Sequence, residues 1–274
     1  MKYVNNLTWG FAVAALIALM PIAARAVGAP LKIDASTPLT ELKTLATQGN
    51  ADAMLELGER QVQGQGVDTN STEGRQWIQK AADAGKANAW YDLGMIYSKG
   101  LGVPTDMKKA MEYYRTGAEK GNSDCQTSLG LFYQAGEKIP GGVKADPAEA
   151  VKWYRLAADQ NHTEAMFHLA QLYMQGEGVK KDSIEAVKWF RKGAEAGNPD
   201  AQWMLGSCYQ KGVGVAKDNV QAYALISAAV DGAENPEQKK GMGDIRDKLG
   251  SELNPEQLKQ AQKLAEEWIE KRNK

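Results

Sequence analysis

The chain carries a recurring stripe of apolar and small residues, spaced three and four positions apart, that predicts amphipathic helices. Its clearest mark is a leucine followed by glycine or alanine, at Leu57-Gly58, Leu93-Gly94, Leu129-Gly130, Leu169-Ala170 and Leu205-Gly206. The successive steps are 36, 36, 40 and 36 residues. A nearly constant step of this length predicts a solenoid of stacked helix pairs.

The first helix of each unit follows the pattern small-x3-Leu-Gly-x2-Tyr, as in Ala89, Leu93, Gly94 and Tyr97. A glycine inside a helix lowers stability by about 1 kcal/mol, so its recurrence indicates close approach of a neighbouring helix. In four units a Gly-x-Gly-Val turn such as 100–103 ends the helix, because glycine permits the left-handed backbone of a helix C-cap. The third unit has four extra residues here, which explains the step of 40.

The second helix of each unit begins after a short polar residue able to cap a helix N-terminus. These residues are Asn70, Asp106, Asp146, Asp182 and Asp218. Aromatic pairs follow at Tyr113-Tyr114, Trp153-Tyr154 and Trp189-Phe190, each with a pair of small residues further on. Large rings and small residues at regular offsets predict a close-packed core.

The combined pattern, A-x3-LG-x2-Y-x2-G-x-GV-x2-D-x3-A-x2-WY-x2-AA-x2-G, resembles the Sel-1-like repeat, a relative of the tetratricopeptide repeat. This resemblance implies an all-α fold, a right-handed α-solenoid of stacked helix-turn-helix repeats. We expect five repeats over residues 50–232. An extended arm at 27–37 and a capping helix at 38–49 should precede them, and capping helices at 233–274 should follow.

Residues 1–26 differ from the rest of the chain. Lys2 precedes an apolar run from Phe11 to Ile22, and Ala24-Arg25-Ala26 supplies small residues where a signal peptidase needs them. The run is too short to span a bilayer about 30 Å thick. The segment therefore predicts a signal peptide cleaved after Ala26, a periplasmic location, and no membrane span after cleavage.

Charge and cysteine content narrow the possible functions. The formal charge of −1 falls to about −3 without residues 1–26, which hold Lys2 and Arg25 and no acids. A nucleic-acid partner is not expected, because such proteins usually carry a basic patch. Cys125 and Cys208 lie two repeats apart, beyond the reach of a disulfide, and are expected to be buried thiols.

No catalytic constellation is present in the sequence, and neither a cofactor nor a metal is predicted. His162 and His168, the two histidines, lack the partner spacing of a zinc or metalloprotease site. Some secreted, cysteine-rich relatives resemble penicillin-binding proteins or β-lactamases. They carry a cysteine pair in every repeat, so their activity is not transferred to this chain, which we expect not to be an enzyme.

The outward positions of the first helices are unusually apolar and aromatic, which is typical of interaction sites. In tetratricopeptide-like arrays these helices line the concave side. The predicted partner-binding residues of this groove are Tyr91, Met95, Leu131, Gln134, Phe167, Gln171, Met174 and Trp203. The alternative is that these rings pack between successive first helices.

These features favour a non-enzymatic scaffold or adaptor of the bacterial periplasm that binds a protein or peptide in its concave groove. A narrower alternative is an immunity protein that neutralises a secreted toxin, a role that some secreted members of the family have. A third is a β-lactamase-like or cell-wall-fragment hydrolase. An envelope protein and a toxin are both possible partners.

Overall fold

A computed structural model describes residues 32–139 and 142–272, and these form α-helices with no strand among them. The helices are α1 (Leu39–Thr47), α2 (Ala51–Gln63), α3 (Ser71–Asp83), α4 (Ala87–Lys99), α5 (Met107–Glu119), α6 (Ser123–Ala135), α7 (Pro147–Ala158), α8 (Thr163–Gln175), α9 (Ser183–Glu195), α10 (Pro199–Lys211), α11 (Asn219–Gly232), α12 (Pro236–Glu252) and α13 (Pro255–Arg272). The predicted signal peptide, 1–26, and residues 27–31 of the predicted arm lie outside the described residues.

The helices stack in chain order. Each of the pairs α2–α3, α4–α5, α6–α7, α8–α9 and α10–α11 packs internally, and each second helix also packs on the first helix of the next pair. Helix α1 packs on α2, and α12 and α13 pack on α11. This arrangement confirms the predicted all-α solenoid of helix-turn-helix repeats.

Glycine at the second position of the leucine pair allows the two helices of a repeat to come close, as predicted. A Cβ atom on Gly94 would lie 2.4 Å from the ring of Tyr114, and one on Gly130 would lie 2.6 Å from the ring of Tyr154. Both distances are too short for any real contact. The glycines therefore provide the space that the tyrosines of the second helices occupy.

The turns between the helices also follow the predicted chemistry, with one departure. Gly100 ends α4 in the left-handed conformation with a φ of 70°. In the third repeat Gly136 has a φ of 58° but a ψ of −132°, and a short 3-10 turn, Gly136–Lys138, follows it. Ile139 and Val143 of this longer connection pack against the core.

The five predicted capping residues all lie at the N-caps of second helices and accept backbone hydrogen bonds. Asp106, for example, accepts from the N–H of Lys109 at 3.0 Å. The others are Asn70, Asp146, Asp182 and Asp218. Each side chain satisfies N–H groups that the first turn of a helix leaves unpaired.

Successive repeats are joined by a series of hydrogen bonds that we call the arginine–tyrosine ladder. In each case an arginine of one repeat's second helix donates to a tyrosine hydroxyl on the next repeat's first helix. The pairs are Arg75–Tyr97 (2.9 Å), Arg115–Tyr133 (2.9 Å), Arg155–Tyr173 and Arg191–Tyr209 (2.8 Å). The tyrosines follow from the repeat pattern of the sequence, whereas their arginine partners do not.

Long-range arginine contacts hold both ends of the array. Near the N-terminus, Arg60 donates to the backbone oxygens of Thr37 and Asp34, each at 2.9 Å. At the C-terminus, Arg272 donates to the backbone oxygen of Ala228 at 3.0 Å and forms an ion pair with Asp231. These contacts fasten the segment before α1 to α2, and the end of α13 to α11.

The two cysteines lie in the core of the array. Cys125 and Cys208 are free thiols and both are buried. This confirms the prediction of buried thiols without a bridge. Burial raises the pKa of both groups, so they remain protonated and unreactive near neutral pH.

Candidate protein-binding face

The outward side chains of α2, α4, α6, α8 and α10 form one surface, which we call the first-helix face. All eight residues predicted to bind a partner lie on it and are partly exposed. They are Tyr91, Met95, Leu131, Gln134, Phe167, Gln171, Met174 and Trp203. Each therefore has surface left to contact another molecule.

Two of the three predicted aromatic residues rest on rings of the second helix in their own repeat. The ring of Tyr91 lies 5.8 Å from that of Tyr114, measured between centroids, and the ring of Phe167 lies 6.0 Å from that of Phe190. Trp203 packs at the edge of the cluster that α11 and α12 form. Such support holds the rings in place while one side of each stays accessible.

The remaining predicted residues contribute in different ways. Gln134 accepts a hydrogen bond from the hydroxyl of Tyr154 at 2.8 Å, which fixes its amide. Leu131 and Met174 pack against the largest core cluster. Met95 lines a narrow crevice between α2 and α4. No hydrogen bond or ring contact is found for Gln171 among the described residues, which leaves its partly exposed amide able to bond to a partner.

The same crevice contains a pair of carboxyl groups that the sequence analysis did not identify. The side-chain carboxyl groups of Glu59 on α2 and Asp92 on α4 both line this crevice and interact with each other. Burial and the charge of Glu59 raise the pKa of Asp92 to about 7, and burial also raises the pKa of Glu59. The pair therefore holds a proton well above the pH at which an exposed carboxyl loses it.

Two further carboxylates, Asp124 on α6 and Glu164 on α8, each lie beside a histidine. His162 accepts a hydrogen bond from the N–H of Ala165 at Nδ1, so in its neutral form the proton is on Nε2. That nitrogen lies 3.1 Å from Asp124. His168 Nε2 lies 3.7 Å from Glu164, and its proximity lowers the pKa of Glu164.

Three of these acidic residues act electrostatically on Tyr91. Burial raises the pKa of its hydroxyl, and the charges of Asp124, Glu164 and Asp92 raise it further. Part of this cluster could have been found in the sequence, because the second residue of every first helix but one is acidic. The column reads Asp52, Asn88, Asp124, Glu164 and Asp200. An acid there also suits the positive end of the helix dipole, which is why the pattern alone does not indicate a site.

No group of three or more His, Cys, Asp or Glu side chains in 32–139 and 142–272 is arranged to hold a metal ion. Over the same ranges, every helix is too short or too polar to cross a membrane.

Comparison with known proteins identifies the repeat. The model of the Sel1 repeat matches the chain five times, at residues 51–86, 87–122, 123–162, 163–198 and 199–232. These segments correspond to the five helix pairs, and the longer third match contains the four extra residues. A comparison with curated proteins gave no match.

Solved structures of similar proteins support the same assignment. A Sel1 repeat protein from Oxalobacter formigenes is 31% identical, with a TM-score of 0.65 over 76% of this chain and 89% of that one. A protective antigen from uropathogenic Escherichia coli is 31% identical, with a TM-score of 0.53. It covers 85% of this chain, which spans 56% of its length.

A more distant structure is an immunity protein from Pseudomonas aeruginosa. It is 18% identical, with a TM-score of 0.47 over 76% of this chain and 79% of that one. A likeness at this level says nothing about function. The five matches of the repeat model cover most of the chain, and the chain therefore belongs to the Sel1 repeat family.

Proposed function

We propose that the protein is a non-enzymatic scaffold of the bacterial periplasm that binds a protein or peptide on its first-helix face. Sel1 repeats are typical of protein-interaction scaffolds, and proteins built from them are generally not enzymes. One observation carries the proposal: Tyr91 and Phe167 are held on the core by neighbouring rings, yet they and the six other predicted residues of this face remain partly exposed.

The arrangement has the features of a binding surface for a polypeptide. Interfaces are enriched in aromatic residues and methionine at their centre, with polar groups around them. Tyr91, Phe167 and Trp203 supply rigid rings spread over three repeats, whereas Gln134 and Gln171 supply amides. Because these residues lie on helices, a partner would meet a surface that needs little reorganisation.

The experiment is affinity purification from a bacterial envelope extract with the tagged chain starting at Val27. The variants Tyr91→Ala and Trp203→Ala should each weaken capture of the specific partner by at least about fivefold, because truncating a central aromatic anchor typically removes more than 1 kcal/mol of binding free energy. Unchanged capture by both variants would refute the proposed face.

Matched controls are available on the second helices. Leu156 and Ile184 are the most exposed large apolar residues among those described, at 48% and 62%. Leu156→Ala and Ile184→Ala remove similar apolar area from another surface, so partner capture should not change.

The periplasmic location is tested separately. Mass spectrometry of the protein from a periplasmic fraction should give a chain that begins at Val27. A cytoplasmic protein that retains residues 1–26 would contradict this part of the proposal.

A further inference from the structure

The charges of the repeats are distributed unequally between the two helix sets. The five first helices together contain seven Asp or Glu and three Lys or Arg, whereas the five second helices contain eight and ten. The three cations of the first helices are not at the centre of the face. Arg60 is buried against the N-terminal segment, and Lys99 and Lys211 are the last residues of their helices.

Repeats 1 to 4 contribute six of the seven acidic residues of the first helices. Glu59, Asp92, Asp124 and Glu164 come from four successive first helices, and the last three act electrostatically on the hydroxyl of Tyr91. In the described parts of the chain, no Lys or Arg forms an ion pair with any of these four carboxyl groups. Glu59 and Asp92 interact with each other, and Asp124 and Glu164 each lie beside a histidine.

The carboxyl groups also lie next to apolar surface. The crevice that holds Glu59 and Asp92 is lined by Met95, Val62 and Leu101 among others. The ring of Phe167 lies 5.4 Å from that of His168, the partner of Glu164. A ligand that fits this surface therefore combines aliphatic or aromatic contact with positive charge.

We propose that the first-helix face of repeats 1 to 4 binds a Lys- and Arg-rich segment of the partner protein. The aliphatic stems of these residues would lie on Tyr91 and Phe167, with their cationic ends at Asp92, Asp124 and Glu164. Complementary charge selects this occupant, because an acidic segment would meet like charges on four neighbouring helices. The inference rests on the proposed function and specifies its partner class.

The test uses fluorescence anisotropy with the chain from Val27 and two labelled twelve-residue peptides, one of alternating Lys and Ala and one of alternating Glu and Ala. The Lys peptide should bind, and its binding should weaken as salt is raised. The Glu peptide should not bind. Equal binding of both peptides, or of neither, would overturn the proposal.

Substitutions locate the binding on the face. Asp92→Asn, Asp124→Asn and Glu164→Gln should each weaken binding of the Lys peptide by about two- to fivefold, with a larger loss when the three are combined. The control is Glu149→Gln with Glu185→Gln, two acids of second helices that pair with lysines of their own helices. An equal loss in the triple variant and in the control would show unspecific attraction and overturn the proposal. Circular dichroism and thermal unfolding verify that each variant is folded.

Two further outcomes separate this proposal from the proposed function. If an envelope partner is captured through Tyr91 and Trp203 but the Lys peptide does not bind, only the charge specificity is wrong. If instead the face is occupied by a second copy of the chain, sedimentation velocity will show a dimer that the triple variant dissociates, and the proposal is overturned.

Discussion

At the scale of single residues, the glycines opposite large side chains determine how closely the two helices of a repeat pack. Gly94 faces the ring of Tyr114, and Gly58 faces Ile78, where an added Cβ would lie 2.5 Å from a side-chain carbon. Both partners are buried. The loss of helix propensity at these glycines is thus offset by burial of a larger side chain on the facing helix.

Gly94→Ala should lower the free energy of unfolding by about 1–3 kcal/mol, because the new methyl group would displace the buried ring of Tyr114. Urea unfolding followed by circular dichroism measures the change. Gly241→Ala is the matched control, since nothing lies within 4 Å of an added Cβ there. Gly241 lies within α12, so the same substitution should instead stabilise by up to about 1 kcal/mol. Equal effects at both sites would contradict the steric explanation.

At the scale of helices, the arginine–tyrosine ladder is the recurring polar link between repeats. Arg115, Arg155 and Arg191 occupy the same position in their repeats, 18 residues before the tyrosine that each contacts. In the first repeat this position holds Gln79. There the hydrogen bond to Tyr97 comes instead from Arg75, which lies one helical turn earlier. The link is therefore preserved although its residue has moved.

Tyr209→Phe should lower stability by about 1 kcal/mol, because it removes the hydroxyl that accepts a hydrogen bond from Arg191 at 2.8 Å. The ring and its contact with the guanidinium remain. Thermal unfolding measures the effect, and hydrogen exchange should show it concentrated in α10 to α13. Tyr223→Phe serves as control, since no hydrogen bond to the Tyr223 hydroxyl is found among the described residues. A similar loss of stability in Tyr223→Phe would show that the hydrogen bond between Arg191 and Tyr209 does not stabilise the protein.

Much of each helix could be predicted from the sequence because it depends on local chemistry. The caps at Asp106 and Asp182 and the left-handed Gly100 follow from short-range rules. The shift from Gln79 to Arg75 and the contact of Glu59 with Asp92 do not. Both depend on the angle between adjacent repeats, which side-chain packing sets over the whole interface.

At the scale of the whole molecule, the Glu59–Asp92 pair makes the joint between repeats 1 and 2 sensitive to pH. The carboxyl groups face each other across α2 and α4, with Tyr114 of α5 and Asp124 and Cys125 of α6 as further titratable neighbours of Asp92. The pKa of Asp92 is about 7 in the folded protein against 3.8 ordinarily. Folding therefore favours the protonated pair, and stability is lost as pH rises from about 4 to about 7.

The Tm should accordingly be higher at pH 5 than at pH 8. A shift of one pKa unit corresponds to about 1.4 kcal/mol of stability, so the difference in Tm should be at least about 3 °C. Asp92→Asn should reduce this difference and raise the Tm at pH 8, because Glu59 then faces a neutral amide. The control is Asp244→Asn, at an exposed position of α12. A profile unchanged by Asp92→Asn would show that other groups cause the pH dependence.

The arginine–tyrosine ladder has a direction, since it always runs from the second helix of one repeat to the first helix of the next. In the first repeat Gln61 stands at the tyrosine position, and α1 packs on α2. In the fifth repeat Ser227 stands at the arginine position, and α13 packs on α11. The two ends therefore lack the complementary groups that join repeats internally. Separate copies of the chain cannot extend the ladder head to tail, which closes this route to a growing filament.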